Sequence, residues 1–277
     1  MGLRIATNVT ALNGQRQLSQ TRLSLDKTLE KLASGSRINR AGDDAAGLAI
    51  SENLRAQIRG MRQAKRNSQD GISLVQVSEG GLNEISNILI RLRELAIQAA
   101  SDTIGDVERG FTDREYQSLK QEVDRIANVT QFNGTPLLNG QAGIFEIQVG
   151  THNNPILDRV VYNGERADAT LDSLKMGGES VATKQGAQLS LATVDDALVK
   201  VNSIRADLGA MQNRLQSTIN NLALADENLS AANSRIRDAD MAEEVSEMTK
   251  HNILLQSGIS VLGHANNTSS AALKLLG

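Results

Sequence analysis

The sequence predicts a mainly α protein in which long antiparallel helices form a coiled-coil or bundle core, with a small β-hairpin insert, as an elongated rod. Three observations lead to this prediction. Leucine and alanine, both strong helix formers, dominate the 277 residues with 34 and 31 copies. Only five side chains are aromatic, so a core built around rings is not available. The only prolines are Pro136 and Pro155, which leaves both outer parts of the chain free to form uninterrupted helices.

The first helix is predicted over residues 3–33. At about 100° per residue its apolar residues fall on two opposite faces, whereas a helix with one partner needs a single apolar face. One face carries Leu18, Leu25, Leu29 and Leu32, and the other carries Ile5, Val9, Leu12 and Leu23. We therefore expect neighbours on both sides of this helix. It should end at Ser34 and Gly35, because glycine can take the left-handed cap conformation.

A polar break at residues 36–44 separates this helix from the next. Asp43 or Asp44 is suited to cap the second helix, and we favour this over a metal site because no further ligands cluster nearby in the sequence. Apolar periodicity then continues to about residue 100, which predicts a long helix. A break at Gly80 and Gly81 stays open, since each glycine costs about 1 kcal/mol relative to alanine in a helix.

A shorter helix and a hairpin are predicted in the middle of the chain. Thr112 is expected to cap the helix, because Glu115 follows three residues later with the spacing of a capping box. Apolar and polar residues then alternate over residues 145–149, the period-2 pattern of a strand. Residues 159–162 are the expected partner strand, which completes a hairpin.

The strongest periodic pattern lies in the last third of the chain. Apolar residues recur there every seven positions, namely Val194, Val201, Leu208, Leu215, Leu222, Leu229 and Ile236. Six heptads of this kind are typical of a coiled coil. After a polar patch at residues 237–240, a final helix carries an apolar stripe of Met241, Val245, Met248, Leu255, Ile259 and Leu262.

The order of these elements is symmetrical about the insert, which predicts that the first helix pairs with the last. We predict a terminal helical region formed by residues 1–44 and 237–277. Residues 45–236 should form a second helical domain, with the hairpin near 141–165. Both ends of the chain would then lie at the same end of the rod.

Composition and motifs argue against several functions. The chain has no cysteine, and its histidines His152, His251 and His264 have no metal-ligand spacing. It contains neither a phosphate-binding glycine loop nor a nucleophile elbow. We therefore predict no catalytic residues, no metal and no cofactor, and expect that the protein is not an enzyme.

Two partner classes and one export route are also disfavoured. A net charge of −3 and the scarcity of aromatics argue against a nucleic-acid surface. The sequence has no run of about 18 apolar residues, so no membrane span is expected. The first residues lack the apolar stretch of a secretory signal.

Several segments resemble bacterial flagellins. Residues 32–50, read as LASGSRINRAGDDAAGLAI, resemble the N-terminal motif of that family. Further similar segments are residues 66–73, 93–96, 131–134, 208–215 and 234–240, in the family's order. Ser36 departs from the pattern, because many members have leucine there. The middle is too short for the outer domains of longer flagellins.

The resemblance implies a structural subunit that polymerises into the helical flagellar filament used for swimming motility. Such a subunit is extracellular and leaves the cell through the flagellar export apparatus without a cleaved signal peptide. The implied partners are other copies of the chain, an export chaperone, and the cap and hook-junction proteins. The alternative within the same apparatus is a hook–filament junction protein. A soluble coiled-coil binding module is a more remote alternative.

The same resemblance implies two groups of site residues. The terminal helices would form the inner core of the filament and the long helices its outer tube. The expected subunit-packing residues are Ile5, Val9, Leu12, Leu18, Leu25, Leu29, Leu32, Met241, Val245, Met248, Leu255, Ile259 and Leu262. Contacts to an animal Toll-like receptor would map to Arg91, Leu95 and Glu115. A structural role competes at each, since Arg91 could pair along its helix, Leu95 could be buried and Glu115 could cap its helix.

Overall fold

The computed structural model describes the backbone of residues 7–274 and the side chains of residues 7–267, so the predicted packing residue Ile5 lies outside the described residues. Five α-helices and two antiparallel hairpins form in this part of the chain. The helices are α1 (Val9–Ser34), α2 (Ala45–Ala100), α3 (Asp106–Val129), α4 (Lys184–Arg237) and α5 (Met241–Lys274). The strands are β1 (Gln131–Phe132), β2 (Thr135–Pro136), β3 (Ile144–Gln148) and β4 (Arg159–Asn163). The predicted fold class of long helices with a small β insert is confirmed.

The chain divides into two compact units. The terminal unit contains the residues up to Ala56 and those from Asn228 onward, and the central unit is Gln57–Glu227. In the central unit, α2 and α4 run antiparallel, because ion pairs join them in opposite order along the two helices. Arg62 pairs with Asp226 at 3.0 Å, and Arg93 pairs with Asp195 at 2.7 Å. The heptad residues buried in this unit are Val194, Val201, Leu208 and Leu215.

The ends of α1 and the start of α2 follow local capping rules. α1 begins at Val9 rather than at residue 3, because the Asn8 side chain accepts a hydrogen bond from the Ala11 N–H at 3.0 Å. Its end is as predicted, with Gly35 in the left-handed conformation at φ 67°. Asp44 caps α2 by accepting from the Gly47 N–H at 2.8 Å.

The second helix is continuous through its paired glycines, so the break left open from the sequence does not occur. Gly80 has no neighbouring atom within 4 Å of where a Cβ would lie. A Cβ on Gly81, by contrast, would lie 2.6 Å from Thr130 Oγ1 and 2.9 Å from Leu138 Cδ1. Gly81 therefore lets the segment that follows α3 pack directly against the backbone of α2.

The prediction that Thr112 caps the third helix is wrong. α3 begins six residues earlier, at Asp106, with Gly105 as its N-cap. Thr112 lies in the helix interior, where its hydroxyl donates to the Glu108 carbonyl at 3.1 Å. The earlier start is favoured because the Arg109 guanidinium turns back and donates to the Ala99 carbonyl at the end of α2.

The predicted hairpin is confirmed, with Phe145 opposite Tyr162 and Ile147 opposite Val160. The hairpin of β1 and β2 was not predicted. Its two-residue turn is Asn133 and Gly134, both with positive φ, which is the turn chemistry that asparagine–glycine pairs favour.

Candidate assembly interface

Helices α1 and α5 pack against each other and run antiparallel in the terminal unit. Near one end of the pair, the Asn8 side-chain amide donates to the Ala265 carbonyl at 3.0 Å. Near the other end, Lys31 Nζ pairs with Glu244 Oε1 at 2.7 Å. The predicted pairing of the first helix with the last is therefore confirmed.

Two glycines bring α1 and α5 close together. A Cβ on Gly14 of α1 would lie 3.4 Å from Leu262 Cγ, and a Cβ on Gly258 of α5 would lie 3.2 Å from Leu18 Cγ. Each helix thus places a leucine over a glycine of the other. The sequence analysis missed these glycines, although their signal was present: in both helices a leucine follows the glycine by four residues, which places the two on one face.

This pairing buries only part of the predicted packing residues. Leu18, Leu25, Leu32, Met248, Leu255 and Leu262 are half-buried. Val9, Leu12, Leu29, Met241, Val245 and Ile259 remain 44–56% exposed. Leu29 departs from its predicted face, since the other three leucines of that face are partly covered. Each terminal helix therefore has one apolar face covered within the chain and further apolar residues that are open.

Additional exposed apolar residues enlarge this open surface. Leu23 lies on the predicted second face of α1, while α5 adds Ile253, Leu254 and Val261. The α5 residues were missed because the sequence analysis followed a single stripe, although residues 253–255 are apolar all around the helix. We call the exposed residues of both groups the open apolar surface.

The two polar breaks of the terminal unit are bonded to each other. The Arg37 N–H donates to the Arg237 carbonyl at 2.6 Å, and the Ala239 N–H donates to the Gly35 carbonyl at 3.0 Å. The Arg37 guanidinium also donates to the Ile236 carbonyl at 2.7 Å. The segments that join α1 to α2 and α4 to α5 therefore form one backbone-bonded connection.

The motif that carries the family resemblance has a direct structural use in this connection. Ile38 is buried and lies against the first turn of α2, where a Cβ on Gly47 would come within 2.8 Å of Ile38 Cδ1. Hydrogen bonds from the backbone N–H groups of Arg40 and Asn39 hold the pKa of the Asp43 carboxyl below its ordinary value. Glycine and aspartate at these positions therefore stabilise the turn between α1 and α2.

An ion pair extends the connection into α2. The Arg237 side chain donates to the Glu52 carboxylate, and this hydrogen bond lowers the pKa of Glu52. Arg55 donates to the same carboxylate at 3.4 Å. The charge of Glu52 thus contributes to holding α2 beside the end of α4 within the terminal unit.

The three predicted receptor residues lie together in the central unit but differ in exposure. Arg91 pairs with Glu115 at 2.8 Å and with Glu94 at 3.0 Å, and the hydrogen bonds from Glu115 and Glu94 raise the pKa of its guanidinium. Leu95 is only 2% exposed. Arg91 and Glu115 are therefore available at the surface, whereas Leu95 is part of the core.

Neither a metal centre nor a membrane span is found where the structure describes the chain. Within residues 7–274, no three or more His, Cys, Asp or Glu residues are grouped so that they could hold a metal ion. None of the helices in that range is long and apolar enough to cross a membrane.

Comparison with known proteins assigns the family. Residues 5–142 match the bacterial flagellin N-terminal helical region, and residues 191–276 match the bacterial flagellin C-terminal helical region. The flagellin of Halalkalibacterium halodurans is 45% identical over 97% of this chain and 98% of its own length. The flagellar filament 33 kDa core protein of Treponema phagedenis is 43% identical, with the same shares covered.

A solved structure agrees with these sequence relatives. The crystal structure of Bacillus cereus flagellin aligns with a TM-score of 0.51 and 34% identity, over 57% of this chain and 88% of that chain. None of these comparisons favours the hook–filament junction alternative. The chain belongs to the bacterial flagellin family, and it is a structural subunit of the extracellular flagellar filament.

Proposed function

We propose that copies of this chain pack through the open apolar surface of α1 and α5 when they polymerise. The observation that carries this proposal is that large apolar side chains such as Leu12 and Leu23 are 52% and 63% exposed on a helix whose other face is already covered. Exposed apolar patches of this kind favour association. Repeated contacts that do not close into a ring produce a helical filament.

Seeded polymerisation tests this proposal. Purified full chain is mixed with sheared filament fragments and examined by electron microscopy, beside a copy that lacks residues 1–40. The full chain should extend the fragments, and the shortened copy should not. If the full chain failed to extend them, the junction-protein alternative would become the better explanation.

Point variants locate the surface more sharply. We expect Leu12→Asp with Leu23→Asp to abolish extension, because the added carboxylates would have to lose water on burial between copies. Gln20→Asp is the matched control, since it adds a carboxylate to an exposed polar position of the same helix. If the double variant polymerised as well as this control, the open apolar surface would not be a subunit contact.

We also propose that residues 1–44 and 237–277 form the inner core of the filament and that residues 45–236 form its outer domain. The support is that Gln57–Glu227 is a compact unit with its own core. A fragment of residues 45–236 should therefore unfold cooperatively on heating, as followed by circular dichroism. A fragment without a cooperative transition would contradict this division.

Export through the flagellar apparatus is proposed to involve an export chaperone, with the cap and hook-junction proteins as partners at the filament. The proposal rests on the family and on the first residues of the sequence, which lack a secretory signal. Mass spectrometry of the exported protein should find the N-terminal residues without signal-peptide cleavage. Removal of an N-terminal segment would argue for another route.

Recognition by an animal Toll-like receptor is proposed to depend on Arg91 and Glu115, which form one exposed ion pair. Because Leu95 is buried, a direct contact from it would require local opening of the helices. The double variant Arg91→Ala/Glu115→Ala should reduce receptor signalling. The matched control is Arg125→Ala/Glu122→Ala, which removes another exposed ion pair. Equal signalling by both double variants would contradict the proposal.

A further inference from the structure

The tip of the hairpin between β3 and β4 presents an apolar pair to solvent. Ile156 is 80% exposed and Leu157 is 75% exposed, the highest values among large apolar residues that the structure describes. Their loop is held in shape, because the Asn154 side chain accepts from the N–H groups of both residues, at 3.0 and 3.2 Å. The Asp158 carboxylate in turn accepts from the Asn154 N–H at 2.9 Å.

Basic residues lie beside this tip. The loop rests on α2, where a Cβ on Gly60 would lie 3.1 Å from the Thr151 methyl group. Around that position, residues 57–66 carry four basic residues and no acidic one. The hairpin tip and this part of α2 together form a projection that is apolar and positively charged, which we call the basic tip.

The first turns of α3 have the complementary character. Val107 is 69% exposed and Phe111 is 60% exposed, and their spacing of four residues places them on one face. Residues 102–108 carry three acidic residues and no basic one, and the Asp106 side chain is 91% exposed. We call this surface the acidic patch. It lies in the same unit as the basic tip but at a distant level of α2.

The separation of the two surfaces excludes contact within one copy. Ion pairs and hydrogen bonds between α2 and α3 place Phe111 near the level of residue 96 of α2. The helix rise of about 1.5 Å per residue puts that level about 54 Å from Gly60. Each copy therefore carries two different, complementary surfaces that only separate copies can bring together.

We propose that the basic tip of one copy docks on the acidic patch of the next copy along the filament. The proposal rests on the filament function and names a contact within it. Contacts between two different surfaces of identical subunits extend without closing, as a filament requires. The opposite charges favour this pairing over tip-to-tip or patch-to-patch contacts, because like charges repel.

Cross-linking tests the proposed contact in a chain that has no cysteine of its own. The double variant Leu157→Cys/Phe111→Cys is assembled on seeds and treated with a short bifunctional maleimide. Denaturing gels should show a ladder of dimers, trimers and larger species. Each single variant should give no ladder, and the double variant before assembly should give none.

A second measurement covers the case in which the double variant does not assemble. The two single variants are then mixed in equal amounts into an excess of wild-type chain, and a cross-linked dimer is expected. Normal filaments without a ladder, or a mixture without the dimer, would overturn the proposed contact while leaving the filament function intact. Failure of the wild-type chain to extend seeds would instead contradict the filament function itself.

Discussion

Two adjacent glycines of α2 should respond in opposite ways to the same substitution. Replacing glycine by alanine inside a helix favours folding by about 1 kcal/mol, because alanine loses less backbone entropy. At Gly80 nothing lies within 4 Å of the added Cβ. We therefore expect Gly80→Ala to raise the free energy of unfolding by up to about 1 kcal/mol.

At Gly81 the same methyl group has no room. Its Cβ would lie 2.6 Å from Thr130 Oγ1 and 2.9 Å from Leu138 Cδ1. Thr130 cannot turn away freely, because its hydroxyl donates to the Ile126 carbonyl at 2.7 Å. Overpacking costs about 1–3 kcal/mol and a lost hydrogen bond about 1 kcal/mol, against the helix gain of about 1 kcal/mol. Gly81→Ala should therefore lower the free energy of unfolding by about 1–2 kcal/mol.

Thermal unfolding followed by circular dichroism compares the two variants directly. The expected gap of about 2–3 kcal/mol corresponds to roughly 4–12 °C between their midpoints, at about 2–4 °C per kcal/mol for a unit of this size. Wild type should lie between them. If Gly81→Ala melted at or above Gly80→Ala, the close approach of Thr130 to α2 would not constrain this position.

Two further predictions concern the terminal unit. Gly258→Leu should lower the thermal midpoint of the full chain, because its Cβ would lie 3.2 Å from Leu18 Cγ, whereas Gly263→Leu has no atom near its Cβ and should leave the midpoint unchanged. Equal midpoints would refute close packing of α1 on α5. The pKa of Glu52 is depressed below its ordinary value of 4.5 by the hydrogen bond from Arg237, so its stabilisation is present above pH 4.5 and lost as pH falls through the folded-state pKa. The denaturant midpoint of wild type should therefore fall further than that of Glu52→Gln between about pH 5 and about pH 3, and parallel curves would contradict this role.

Sequence patterns predicted the features that depend on neighbouring residues. Gly35 ends α1 and Asp44 caps α2 because both need only their own turn of backbone. The hairpin register followed from alternation that starts at Phe145. The cap at Thr112 failed for the opposite reason, since Arg109 reaches carbonyls of another helix and shifts the start of α3. Such contacts leave no periodic pattern in the sequence.

The assembly surface shows the same boundary between local and distant information. The two apolar faces of α1 could be predicted from spacing, and the structure leaves Leu12 exposed while Leu18 packs on Gly258. Which face would be covered within the chain depended on α5, far away in sequence. The apolar tip at Ile156 was missed because two apolar residues in a loop form no repeat.

The bonded connection between the two polar breaks has a mechanical consequence. A helix pair that hung from a single strand could swivel about that strand, and rotation would be lost there. Here two strands are linked by the bonds of Arg37 to Arg237 and of Ala239 to Gly35, so twisting one strand strains the other. Torque applied to α2 and α4 in the terminal unit is thereby carried into α1 and α5 as shear on short, parallel bonds.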